Sequence, residues 1–420
     1  MIGPVPVEFV LFVFVLAGVA LLQRHSLHVA VLGALIIAAY KVALSAFAEG
    51  PGLAGLVGHL GHEWVTLVNL LLLLLGFALL ARTFEDSEVP AVLPRWLPDD
   101  WKGGFVLLAA VFVLSAFLDN IAAAMIGGAV AHSVFRKVHV GYLVAIVAAS
   151  NGGGSGSVVG DTTTTMMWIA GIPPLDVFEA FVGAGTALLL FGFVASRQQQ
   201  AYSPIVKDEQ AGVRVDWARV FIVAFILLAA IAVNVVVNTR FAAVSSSLPF
   251  LGIAVWAVIV LTARLRRPVW TLLPAALRGA IFLLALVLCA SMMPVERLPG
   301  ASWHTAFGLG VLSAVFDNIP LTALAIRQGG YDWGFLAYAV GFGGSMIWFG
   351  SSAGVAIATM YPQARSVGLW LRHGWHVAVA YVIGFFVMLA VIGFHPDHTP
   401  PARPAAASAA PPPAMLGAPA

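Results

Sequence analysis

Cysteine is nearly absent from this chain: Cys289 stands alone among 420 residues, so neither a disulfide framework nor a cysteine-based metal site can form within one chain. It lies in the apolar run 281–290 and is expected to be a small core residue. Charge is scarce as well. Asp, Glu, Lys and Arg make up 10% of the residues, the net charge is +2 and the basic residues are scattered, which gives no ground for a nucleic-acid partner. No basic n-region precedes the first apolar stretch, and that stretch is long enough to span, so no cleavable targeting segment is expected. Apolar sequence fills the place of charge. A hydrophobic fraction of 61% and a mean hydropathy of +0.97 exceed what a soluble globular surface tolerates. The composition predicts an all-α polytopic membrane protein whose first partner is the lipid bilayer.

One phrase is written twice. Leu114-Ser115-Ala116-Phe117-Leu118-Asp119-Asn120-Ile121 returns as Leu312-Ser313-Ala314-Val315-Phe316-Asp317-Asn318-Ile319, identical at six of eight positions. A second phrase follows each copy: Gly153-Gly154-Ser155 with Gly160-Asp161-Thr162, then Gly343-Gly344-Ser345 with Gly350-Ser351-Ser352, at the same internal spacing. Two halves that each carry an acidic, amide-bearing tip and then a glycine-broken apolar segment point to a repeat-built secondary transporter.

The length of each apolar stretch sets the organisation, since ~20 helical residues cross ~30 Å of hydrocarbon. About ten spans are expected. The first half, residues 1–196, offers helices over 4–23, 26–47 and 65–81, a polar loop over 82–102, a re-entrant helical hairpin over 104–135 with Asp119 and Asn120 near its tip, a broken span over 140–172 interrupted at 151–156, and a last span over 175–196. A polar linker over 197–217, with three successive glutamines, separates it from the second half. Residues 218–394 repeat the plan, with spans over 218–238, 248–263 and 277–293, a hairpin over 303–326, a broken span over 334–360 and a final helix over 375–394. The Pro/Ala-rich tail, 395–420, is expected to be disordered.

Charge asymmetry gives the orientation. With the N-terminus outside, the cytoplasmic loops collect most of the Lys and Arg, among them Arg82, Lys102, Arg136, Lys137, Lys207 and Arg266, while Arg240, Arg297, Arg327 and Arg403 fall on the other face. This puts the linker in the cytoplasm and the C-terminal tail outside, in an inner cell membrane. The first hairpin then enters from the cytoplasm and the second from outside, so the halves are inverted with respect to each other. Such repeats suit a single midplane site that alternates between faces.

Carboxylates at membrane depth are costly and are normally retained for ion or proton handling. Asp119 and Asp317 qualify, and Asp161 follows a helix break. The alternative is that all three cap helices or close turns, which Asp and Asn do well. The glycines Gly153, Gly154, Gly160, Gly343, Gly344 and Gly350 either unwind backbone, freeing carbonyls for a cation, or pack helices closely. No Lys or Arg lies in 104–135, 140–172, 303–326 or 334–360, so the expected site contains only carboxylates, amides, hydroxyls and carbonyls. Hard oxygen ligands of this kind suit an alkali cation or a proton better than an anion. The expected mechanism is competition, with Asp119 and Asp317 binding either protons or sodium, and with Asn120, Asn151, Asn318, Ser155, Thr162, Ser345 and Ser351 supplying neutral oxygens. Sodium is then cargo at that site, and no cofactor is expected.

The paired Asp-Asn phrases, Gly160-Asp161-Thr162-Thr163-Thr164 running to Met167-Trp168-Ile169-Ala170-Gly171, and Gly343-Gly344-Ser345-Met346-Ile347 with Gly350-Ser351-Ser352-Ala353-Gly354 resemble NhaD-type sodium/proton antiporters. These belong to the ion-transporter superfamily that also holds citrate-transporter-like and arsenite-transporter proteins. The resemblance covers residues 62–394. It implies two re-entrant hairpins and two broken helices around the ion site, with Asp119, Asn120, Asp317 and Asn318 at the tips and 151–163 and 343–352 at the breaks. It also implies a transport domain that moves against a scaffold, often as a homodimer. Where related antiporters place hydroxyl residues after the first Asp-Asn, this chain has Ala122-Ala123-Ala124.

Other polar residues carry weaker signals. Lys41 is expected to snorkel, His62 and Glu63 to sit on an interfacial loop, His132, His304, His373 and His376 to be interfacial without metal spacing, and Trp303, Trp333, Trp370 and Trp375 to anchor the membrane interface. An intramembrane aspartyl hydrolase is disfavoured by Val158, where the motif before Gly160-Asp161 needs glycine. A sodium-coupled citrate or dicarboxylate transporter of the same fold is the competing expectation.

Overall fold

The computed structural model describes residues 6–22, 25–206, 214–241 and 247–397. The expected disordered tail therefore lies outside the described residues except for 395–397, as does the middle of the linker. Apart from a short antiparallel pair, β1 (Ala46–Phe47) with β2 (Gly50–Pro51), the described regular structure is helical. α1 (Val7–Leu21) packs on α2 (Ser26–Leu44), and after the strands α3 (Gly52–Glu85) runs for 34 residues, ~50 Å and well beyond the hydrocarbon thickness. His62 and Glu63 are thus inside a helix, not on a loop. The expected start at residue 65 ignores the apolar pattern of Leu53, Leu56, Val57 and Leu60, which carries the helix back to Gly52.

The short α4 (Val89–Val92) leads to α5 (Trp101–Ser115), α6 (Asn120–Val134), α7 (Val140–Ser155) and α8 (Thr162–Ile169). α9 (Pro174–Phe178) and α10 (Ala180–Tyr202) follow. The second half holds α11 (Trp217–Arg240), α12 (Phe250–Thr262), α13 (Leu273–Ser291), α14 (Trp303–Ser313), α15 (Asn318–Gln328), α16 (Trp333–Gly343), α17 (Ser352–Met360) and α18 (Val367–Val391). Six segments among the described residues are long and apolar enough to cross a membrane: Ser26–Leu44, Gly52–Glu85, Pro174–Tyr202, Trp217–Val237, Trp270–Ser291 and Val367–Val391. The helices α5, α6, α7, α8 and α14 to α17 are shorter than a span.

The linker begins later than its polarity suggests. α10 continues through the glutamines to Tyr202, and Gln199, expected in solvent, is fully buried. Its Oε1 accepts from the His139 backbone N–H (2.8 Å) and its Nε2 donates to the Lys137 carbonyl (2.9 Å), which ties α10 to the start of α7.

α7 and α16 are buried on every side, as expected for helices at the centre of a helical assembly. Around them lie α5, α6, α10, α17 and α18, while α1, α2, α13 and part of α3 form a second apolar cluster that meets α15. Cys289 belongs to that cluster and is fully buried, the small core residue expected of it. Trp333 and Trp370 are buried rather than interfacial. Trp370 donates to the Ser345 carbonyl (3.1 Å) and Trp333 to Asp397 (3.1 Å), so each indole N–H is satisfied inside the protein. His376 is buried on α18 instead of lying at an interface.

The first break is displaced from the glycine cluster. Asn151 to Gly154 are helical, and the chain leaves the helix only between Gly156 and Asp161. These glycines serve contact. A Cβ on Gly153 would collide with the Phe112 carbonyl of α5, and one on Gly343 with the Gly310 carbonyl of α14. Gly153→Ala and Gly343→Ala are each expected to lower the melting temperature of the purified protein, by the equivalent of about 1–3 kcal/mol or more. Gly185→Ala, where nothing lies within 4 Å of the added Cβ, should leave it unchanged or raise it. Equal thermograms for all three would disprove the contact role.

Candidate functional site

Two helix pairs, α5 with α6 and α14 with α15, have the same turn. In the first, the Asp119 carboxylate caps α6 by accepting from the Ile121 N–H (2.7 Å), and Ser115 Oγ donates to the Ser150 carbonyl on α7 (2.5 Å). In the second, Asp317 caps α15 through Ile319 (3.0 Å), and Ser313 Oγ donates to the Val340 carbonyl on α16 (2.7 Å). Each turn is thereby clipped to the broken helix that follows it. Ser115 and Ser313 are absent from the sequence-derived site set, although both stand in the duplicated phrase that reveals the tips.

The two breaks also correspond. Asp161 is the N-cap of α8, accepting from the Thr163 N–H (3.2 Å), and Ser351 is the N-cap of α17, accepting from the Gly354 N–H (3.3 Å). Gly160 and Gly350 lie against the backbone carbonyls of the preceding turns, where a side chain would collide with Ser115 or crowd Ala314. A Cβ on Gly154 would lie 2.8 Å from the Gly160 oxygen and one on Gly344 2.8 Å from the Gly350 oxygen, so glycine closes both loops. The capping reading of the aspartates is therefore correct locally, but it occupies one oxygen of each carboxylate.

The breaks meet at the centre. Asn151 Nδ2 donates to Ser345 Oγ and to Ser351 Oγ (3.0 Å each), and its Oδ1 accepts from Asn120 Nδ2 (3.1 Å). Asn318 Nδ2 lies 3.4 Å from Asp161 Oδ2. Asn120, Asn151, Ser345 and Ser351 thus form one buried hydrogen-bonded group and Asn318 with Asp161 a second, each drawn from both halves and neither containing a Lys or Arg. Asp161 is 3% exposed, whereas Asp119 and Asp317 are only half-buried. The sequence ranks the duplicated aspartates first, and the structure puts Asp161 deepest. Ser155 and Thr162 are buried nearby, but Ser155 Oγ donates back to the Gly152 carbonyl of its own helix (2.8 Å). Thr164 and Thr165 spend their hydroxyls on the carbonyls of Ser157, Val158 and Asp161, repairing the break. Among the described residues no group of three or more His, Cys, Asp or Glu is placed to hold a metal ion. The chemistry on offer is a deep carboxylate with amide and hydroxyl oxygens, which matches a monovalent cation or a proton.

A second polar group lies where α2, α3 and α13 meet. Lys41 does not snorkel. Its Nζ donates to the Met292 carbonyl (2.9 Å) and sits 5.1 Å from the centre of the Phe47 ring. Buried His59 bridges Ser291 Oγ (3.0 Å) and Glu49 (3.3 Å). The turn that carries Phe47 and Glu49 folds back over these side chains, and that tertiary closure has no local sequence signal.

No protein-family model matches the chain. It is 29% identical over 140 residues to Sodium/proton antiporter 1 of Arabidopsis thaliana. The match takes in 28% of this chain and 24% of that relative, so the chain spans about a quarter of the relative's length.

Removing either serine clip loses a buried hydrogen bond between turn and helix while the carbonyl keeps its helical partner, at a cost of about 0.5–1.5 kcal/mol. Ser115→Ala and Ser313→Ala are expected to lower thermal stability by comparable amounts. A neutral result at both positions, measured by unfolding of the purified protein, would show that the turns are held by packing alone.

Proposed function

We propose that this chain is a secondary transporter of the NhaD type that exchanges a monovalent cation, sodium in the first instance, for protons. The observation that carries the reading is the buried Asp161 carboxylate, which meets the Asn318 amide of the second hairpin, caps α8 and has no Lys or Arg among the described residues hydrogen-bonded to it. A cation or a proton restores neutrality there, and an anion does not. The partial similarity to a sodium/proton antiporter supports the same class. Transport, not catalysis, accounts for a charged centre at which two broken helices meet.

On this reading α5–α6 and α14–α15 are re-entrant hairpins, too short to cross as single helices and entering from opposite faces as inverted repeats. Ion pairs join residues that the topology assigns to the same face. Asp86, Arg219, Asp216 and Arg266 pair at the end assigned to the cytoplasm, and Arg327 pairs with Glu63 at the other. Asp161 holds the ion with Asn318 beside it, the hydrogen-bonded group of Asn120, Asn151, Ser345 and Ser351 braces the neighbouring crossing, and Asp119 and Asp317 at the hairpin tips are proton carriers along the path. Alternating access moves the hairpins and broken helices against α1, α2, α3 and α11 to α13, a scaffold suited to a homodimer in the inner cell membrane.

The test uses the purified chain in liposomes that contain a pH-sensitive dye. Sodium or lithium added outside should alkalinise the lumen, and Asp161→Asn, Asp119→Asn and Asp317→Asn should each reduce the rate by at least tenfold. Sodium-dependent uptake of citrate with no proton movement would move the function to carboxylate symport. Orientation is checked separately in a Cys289→Ala background. Arg136→Cys should react with an impermeant maleimide only from the cytoplasmic side and Gly300→Cys only from outside; labelling of both from one face would refute the inversion.

A further inference from the structure

At the spacing set by Gly153 and Gly343 the two breaks share Gly153, Gly154, Ser155 and Gly160 with Gly343, Gly344, Ser345 and Gly350, and two of the positions at which they differ bear on the site. Ser155 matches Ser345, but Asn151 matches Gly341 and Asp161 matches Ser351. The helices cross where Gly152 meets its own counterpart: a Cβ on Gly152 would lie 3.2 Å from the Phe342 ring. On one side of that crossing the Asn151 amide reaches over and donates to Ser345 Oγ and Ser351 Oγ. On the other side the facing groups are the counterparts of those two acceptors, Ser155 and Asp161. A Cβ on Gly341 would lie 3.0 Å from the Ser155 Cβ and 3.7 Å from Asp161 Oδ2, so Gly341 stands where an amide would complete the same arrangement. It supplies none. The acceptors are more negative on this side, because a carboxylate replaces a serine hydroxyl, and the donor has been deleted. Asn318 turns to Asp161 at 3.4 Å, whereas its counterpart Asn120 bonds the Asn151 amide.

We propose that the Asn151 amide permanently occupies one of two equivalent cation positions, and that the transported cation takes the other, between Ser155 and Asp161 beside Gly341. An amide N–H2 pointing at two hydroxyl oxygens does what a small cation does at the same place: it presents positive charge to converging lone pairs. The duplicated architecture therefore holds one exchangeable cation per chain, and Gly341 and Asn151 together set that number. This rests on the cation-transport reading and adds a stoichiometry and a place to it.

Radioactive sodium bound per chain, counted on the full-length purified protein in detergent, tests the inference. The wild type is expected to bind one sodium ion and Asp161→Asn none. Asn151→Asp, which keeps the side-chain shape and puts a carboxylate where the donor was, is expected to bind two, and Asn151→Gly combined with Ser351→Asp, which reproduces on this side the Gly341 and Asp161 of the other, provides a second variant with the same expectation. Monodispersity on size exclusion identifies variants that fold. Two ions bound by the wild type, one still bound by Asp161→Asn, or a single ion bound by every folded Asn151 variant would overturn the inference. Liposome exchange separates the two levels. A wild type that exchanges cations for protons but gives the wrong counts loses the single-site inference alone, whereas one that neither exchanges nor binds sodium loses the transport reading as well.

Discussion

Backbone groups released by a helix break have to find partners inside the protein, because hydrocarbon offers none. This chain breaks α7–α8 and α16–α17 at the centre of its fold, and much of its polar composition there follows from that constraint. Thr164, Thr165, Ser157, Ser115, Ser313 and Trp370 all give their donors to main-chain carbonyls at or beside the breaks. Asp161 and Ser351 cap the helices that resume. A hydroxyl near a broken helix is thus more often a repair than a ligand. After the repairs, the side-chain groups linking the two breaks are the Asn151 amide, Ser345 and Ser351, while the outer oxygen of Asp161 turns to Asn318 of the second hairpin.

Glycine makes this economy possible. Gly153 and Gly343 let α7 and α16 touch the backbones of α5 and α14, and Gly160 and Gly350 bring the loop against the preceding hairpin turn. Close approach shortens the distance that a serine must reach to clip a turn onto its neighbour, so the same residues that pack the helices also fix the tips. The consequence is that in each half a hairpin is tied to the broken helix after it, and in the proposed transporter that pair is the moving part.

The sequence made the tips legible because Asp119 and Asp317 act locally: capping depends on residues two positions away, and a duplicated phrase marks both. The second break was legible for the same reason. The first was misplaced by several residues because Gly152, Gly153 and Gly154 look like unwound backbone, while Gly152 and Gly153 serve contact with Phe112 and Phe342, partners distant in sequence, and Gly154 lies against the Gly160 carbonyl. Trp370, Lys41 and Gln199 failed in the same way. Amphipathic side chains near the ends of apolar runs ordinarily face an interface, and these three turn inward to carbonyls offered by other helices. The depth of Asp161 depends on α15 crossing α8, which no local pattern encodes.

Duplication gives two similar scaffolds, but it does not oblige the chemistry to be duplicated. Carboxylates at both cap positions, 161 and 351, would face each other across the crossing of α7 and α16, and two buried like charges resist ionising together. One acidic cap and one serine cap avoid that repulsion. With Ser351 in place, the carboxamide of Asn151 satisfies its side of the crossing without any ion, and the unbalanced charge is confined to Asp161. These two departures from symmetry, Asn151 against Gly341 and Asp161 against Ser351, are therefore linked: the neutral cap is matched by an internal donor, and in the proposed transporter the acidic cap is left for a cation that arrives and departs.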